Sequence, residues 1–220
     1  MASVLYTMGR LDEAEKNARA ALELPDTGDR RMTTTAYEVL VRIALARHDA
    51  AAARREAADA AKADPTFPLS TYVEAMIHYQ QAQYREALPL FQETIKQLQA
   101  HTVTIQNLYY DTGDTLAHLG EAGQAEEAFR QEIGLSPANV RAHAGLAILY
   151  RSVGRAADAD AAIADLLRTV PTSQGYAMAI RLRTIFGETA RAAALRQEAV
   201  RRFGEPAVAR EERALLPGMN

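Results

Sequence analysis

Apolar and small residues recur along the chain at helical spacing, in runs of about three turns that end at glycine or proline, and in residues 109–171 one such pattern is written twice. Residues 109–119 carry apolar positions with helical period, residues 120–123 interrupt them, and residues 125–135 resume the pattern until Ser136 and Pro137. Gly120 returns as Gly154, Ala125 as Ala159, Phe129 as Ile163, Leu116 as Tyr150 and Pro137 as Pro171, each pair 34 residues apart. The spacing predicts two helices joined by a tight turn in each copy. Gly120 closes the first helix in the left-handed conformation, and Pro137 stops the second. Gly113 and Ala125 are small so that the two helix axes approach closely, and Phe129 fills the groove between one hairpin and the next.

A period of this length is the mark of a helix-turn-helix solenoid. The residues resemble the tetratricopeptide repeat, whose pattern has an aromatic at position 4, small residues at 8 and 20, glycine at 15, an aromatic at 24 and proline at 32. Tyr109, Gly113, Leu116, Gly120, Ala125, Phe129 and Pro137 stand at positions 4, 8, 11, 15, 20, 24 and 32 of one copy. His143, Leu146, Ala147, Tyr150, Gly154, Ala159, Ile163 and Pro171 follow in the next. The fold expected is all-α, a right-handed α-α superhelix of five to six hairpins with a C-terminal capping helix.

The register extends in both directions and gives one domain over residues 1–220. Leu5, Tyr6, Gly9, Ala14, Ala18 and Pro25 read as a truncated repeat over residues 1–25, as though further repeats or another domain preceded it. A turn-rich connection follows at residues 25–31. Repeats are then expected over 34–67, 68–101, 106–139, 140–172 and 173–204, the last of them degenerate. The third repeat lacks a closing proline, and its second helix is expected to run on towards residue 100. Residues 205–220 supply a capping helix, with Val208, Leu215 and Leu216 on its apolar side, and a tail.

Composition narrows the class of function. The 220 residues carry a net charge of −3 with a pI near 6.0, which provides no basic face for nucleic acid. Cysteine is absent, which removes disulfides, zinc-thiolate sites and thiol chemistry and leaves the compartment open between cytoplasm and periplasm. No apolar run is long enough to cross a membrane, and the chain reads as soluble. Arginine far outnumbers lysine, which occurs only at positions 16, 62 and 96, as in proteins from GC-rich bacterial genomes.

Candidate chemistry is sparse. The histidines at 48, 78, 101, 118 and 143 never stand three or four apart, so no helical face presents two metal ligands, and no metal or cofactor is expected. Asp111 and Asp114 share a helical face without a nucleophile or oxyanion donor beside them, and a pairing with Arg141 or with a ligand suits them better than catalysis. Glu126, Glu127, Arg130 and Glu132 read as a solvated outer face.

The resemblance implies that positions 2, 5, 6, 9, 12 and 13 of the first helices face a concave groove. That face collects Tyr72, Met76, Tyr79, Tyr110, Asp111, Asp114, His118 and Ile148, with Arg42, Arg141, Arg151 and Arg181 among them. It implies a non-catalytic interaction module that binds an extended peptide or a partner helix, through a partly exposed tyrosine cluster flanked by arginines. The segment suited to it bears apolar and acidic side chains. The clamp by which such repeats hold a chaperone's C-terminal carboxylate is not expected, because its positions here are Glu38, Arg42, Val73, Asn107 and Asp111. Two other readings stand beside this one: a scaffold that spaces or oligomerises domains, with a homo-oligomer among its forms, and a repeat tail of a catalytic protein. For the latter, residues 171–188 resemble repeat tails attached to sulfatase-like domains.

Overall fold

The computed structural model describes residues 1–7, 9–24, 30–99 and 104–215, and within them every regular element is a helix. The turn-rich residues 25–29, Pro25 included, and Leu216 with the rest of the tail lie outside the described residues. The helices are α1 (Ala2–Thr7), α2 (Leu11–Leu22), α3 (Arg30–Ala46), α4 (Ala50–Ala63), α5 (Leu69–Gln80) and α6 (Tyr84–Leu98). They continue as α7 (Leu108–His118), α8 (Ala122–Leu135), α9 (Val140–Ser152), α10 (Ala156–Thr169), α11 (Ser173–Ile185), α12 (Thr189–Phe203) and α13 (Glu205–Ala214). The chain forms two compact units, Met1–Leu108 and Tyr109–Asn220. The division falls one residue into α7, which is described with the second unit.

One turn closes every helical pair. Gly9, His48, Ala82, Gly120, Gly154 and Gly187 all take positive φ, between 56° and 82°. At each turn the amide of the following residue donates back to the carbonyl five positions earlier, as Asp49 does to Ala44, Gln83 to His78, Glu121 to Leu116 and Arg155 to Tyr150, at 2.8–2.9 Å. The left-handed residue itself donates to the carbonyl three back. These are the two bonds of a Schellman motif, which satisfies carbonyls that the end of a helix leaves without partners. Five residues after each turn stands an alanine, at 14, 53, 87, 125, 159 and 192, and all six are buried. A larger side chain there would hold the two helices of the pair apart.

In the first unit Tyr72, Val73, Phe91, Leu98 and Leu108 share a core with Ala53, Ala57, Ala60 and Ala87, while Leu5, Val39, Leu40 and Ile43 form a second cluster with Ala14 and Ala18. Successive first helices also touch: α1 meets α3, α3 meets α5, and in the second unit α9 meets α11. In the second unit Tyr176, Ile180, Ala192, Ala199 and Val208 form a cluster that ties α13 onto α11 and α12.

Candidate functional site

Phe129 is the wedge on which the site is built. Its ring is 1 % exposed and lies against Gly113 of α7 and Gly145 of α9, so closely that a Cβ at either glycine would come within 2.9 and 2.7 Å of ring carbons. It therefore fills the groove between hairpins, as its position in the repeat requires. Gly113 makes room for the ring rather than for Ala125 alone. Tyr110 packs beside it with its ring tilted by 45° at a centroid distance of 5.8 Å, and the Arg141 guanidinium covers the Tyr110 ring at 4.3 Å. Burial raises the Tyr110 hydroxyl pKa above its usual value, with Asp114 and Asp111 adding to the rise and Arg141 opposing it.

The ends of α7 and α9 are set by one buried carboxylate. Glu132, 3 % exposed, accepts from the Tyr110 amide in the first turn of α7 (3.3 Å) and from the Asn139 side chain (2.8 Å). The Asn139 side-chain Oδ1 caps α9 by accepting from the amides of Arg141 and Ala142. Glu132 is thus not on a solvated face, which corrects that reading of the charge cluster. Glu126 in the same cluster binds across to the next hairpin, accepting from the Tyr150 hydroxyl at 2.9 Å and from Arg155 at 2.6 Å.

Above the wedge the second unit holds a cavity of about 620 Å³. Tyr110, Asp114, His118, Arg141 and Ile148 line it, five of the twelve residues that the sequence pattern places on a groove. Its walls are otherwise small or apolar: Ala117, Ala144, Gly145, Leu149, Met178, Ala214 and Leu215, with Ser152 at the edge. Asp114 faces His118 at 3.5 Å on the same helix, and the Ser152 hydroxyl donates to the Leu149 carbonyl at 2.7 Å. An acid, a histidine and a serine share the cavity, yet the hydroxyl points to backbone and not to the imidazole.

The remaining candidates are placed elsewhere. Arg42, Tyr72 and Asp111 are buried, at 6 %, 1 % and 3 % exposure, so the expectation that they project from an open face is corrected. Tyr72 packs on Phe91 with Arg42 near its ring, and Arg42 donates to Glu38 at 3.0 Å. Tyr79 turns its ring to Tyr84 and Phe91, and Met76 is partly buried against the first unit's core. Arg151 lies over Phe186 and donates to its carbonyl. Arg181 donates to the Leu215 carbonyl and lines a second cavity of about 310 Å³.

Solved structures share this architecture. Superposition on PilW, described as a widely conserved type IV pilus biogenesis factor, covers 98 % of this chain and 94 % of that one, with a TM-score of 0.62 at 16 % identity. TTC0263, a thermophilic TPR protein of Thermus thermophilus, gives 0.58 at 17 % identity over 83 % of this chain and 99 % of that one. The fold is that of the tetratricopeptide repeat. PilF of Pseudomonas aeruginosa gives 0.56 at 16 % identity over 95 % and 92 % of the two chains. No protein-family model and no curated protein sequence matches the chain.

Within the repeat frame, sequence reasoning missed several lining residues, Leu149 and Met178 of α9 and α11 among them. Ala144 and Gly145 are simply too small to announce a surface. Ala214 ends α13 and Leu215 follows it, outside the repeat pairs, and the signal for them was the apolar side predicted for that terminal segment, which Val208 and Leu215 share.

Proposed function

We propose that the second unit is a non-catalytic protein-interaction module that takes an extended segment of a partner into the cavity between α7, α9 and α11. The observation that carries this reading is the cavity itself. Its volume lies in the range that encloses sizeable ligands, its walls are apolar, and Asp114, His118 and Arg141 stand at its margin. Tyr110 under Arg141 supplies a rigid aromatic contact of the kind that dominates binding energy. An apolar anchor in the cavity, with acidic side chains beside it to meet Arg141, fits that lining. The fold of the solved neighbours agrees with an interaction role. The Ser152 hydroxyl donates to the Leu149 carbonyl, which supports binding over nucleophilic chemistry at this site.

The test is selection of a random-peptide phage library on the immobilised protein, followed by calorimetric titration of the selected peptides. Peptides with an apolar residue next to Asp or Glu are expected. Ile148→Asp, which places a charge in the cavity wall, and Tyr110→Ala should each weaken binding at least about tenfold while the helical circular dichroism is retained. Unchanged affinity in both variants would remove the cavity as the binding site.

A further inference from the structure

The cavity has one wall that no repeat pair provides. α13 is anchored by Val208, which is fully buried, and by Arg196, which pairs with Glu205 at the start of the helix and with Glu212 near its end. Beyond that anchor the last turn carries Leu215 onto α11. Leu215 lines two cavities of the second unit: one of about 620 Å³, to which α11 contributes Met178, and one of about 310 Å³, to which it contributes Ala177, Ile180 and Ile185. Two apolar hollows thus lie along one helix with a single partly exposed leucine between them. The Arg181 guanidinium donates to the Leu215 carbonyl, where it also meets the negative end of the α13 dipole, while the Arg181 Nε is buried with no hydrogen-bond partner among the described residues.

We infer that Leu215 is a partition that sets how long an apolar segment the site admits. The inference rests on the reading of the larger cavity as a binding site. With Leu215 in place the site takes one apolar anchor. With the side chain shortened the two hollows become one groove along α11, and a segment with two apolar anchors fits. The charges along this path suit a partner with acidic groups beside its anchors. Arg141 stands at one hollow and Arg181 at the other, while Glu212, a carboxylate lining the smaller hollow, pairs with Arg196.

Two dyes of matching chemistry test this on the intact chain. 1-Anilinonaphthalene-8-sulfonate is an apolar aromatic body with one sulfonate, and bis-ANS is its covalent double. Fluorescence titration of both dyes is compared in the wild type, Leu215→Ala, Leu215→Trp and Ile148→Asp, with circular dichroism as the check on folding. Leu215→Ala should raise the affinity for bis-ANS about tenfold more than that for the single dye, because only the longer ligand gains the added apolar surface. Leu215→Trp, which thickens the partition, should weaken bis-ANS most. Equal effects on the two dyes, combined with loss of dye binding in Ile148→Asp, would leave the binding site standing and overturn the partition. Dye binding that survives Ile148→Asp would overturn both, since the dyes would then occupy another surface.

Discussion

Ala82 holds φ at +56° in the same turn position where Gly120, Gly154 and Gly187 hold +77° to +82°. A Cβ in the left-handed region costs roughly 1 kcal/mol, and glycine does not carry that cost. Ala82→Gly is therefore expected to raise stability by about 0.5–1 kcal/mol in urea denaturation, whereas glycine substitutions elsewhere usually lower it. Gly120 and Gly154 were legible in the sequence because glycine in a repeated place advertises its backbone. Ala82 and His48 advertise nothing, and only their distance of five residues before Ala87 and Ala53 marks them as equivalent. Phe129 was legible as a buried wedge. The share that Gly145 takes in holding it was not, because Gly145 falls at a position of the repeat that the pattern assigns to the groove and gives no size preference.

Among elements, the joint between the two central hairpins depends on Glu132 more than on any exposed charge. Removing its carboxylate takes one acceptor from the Asn139 side-chain amide and one from the Tyr110 backbone amide in a partly buried place. Glu132→Ala should cost about 1–3 kcal/mol in chemical denaturation. Glu127→Ala, on the exposed side of the same helix, should change stability by less than about 0.5 kcal/mol. The pattern of charges at 126, 127, 130 and 132 pointed to solvent for all four, and it failed at Glu132 for a physical reason. What draws that carboxylate inward is a pair of donors, one of them a backbone amide 22 residues earlier, and backbone donors leave no trace in composition.

Across the molecule, arginine–carboxylate pairs tie neighbouring helices together. Arg47 bridges to Glu15 and Asp12, Arg54 to Glu74, and Arg183 to Asp160 and Glu188. Arg47 holds the Glu15 carboxyl below the usual range, Arg54 does the same to Glu74, and Arg183 to Asp160. A carboxyl whose pKa is lowered by folding contributes stability above the unfolded value and loses it as pH falls through the folded one. The urea midpoint should accordingly hold near neutral pH and drop below about pH 4, and salt should shrink the drop because these pairs are partly exposed. A midpoint that stays level down to about pH 3 would show that the pairs contribute nothing. The all-helical class and the hairpin period were open to reading at this scale because they repeat. The meeting of Leu215 with Tyr110 around one cavity was not, since a contact between residues so far apart in the chain is part of no period.

The turns that close the six helical pairs bear on how the chain acquires its structure. Each turn is defined by hydrogen bonds that span no more than five residues, and the buried alanine it serves lies five residues further on. Bringing together the ends of so short a stretch costs little loop-closure entropy, and the helices it joins then zip against each other without waiting for distant partners. No particular hairpin has to form first, so a chain emerging from synthesis meets a series of small local steps, each completed by packing on its neighbour, instead of one late search.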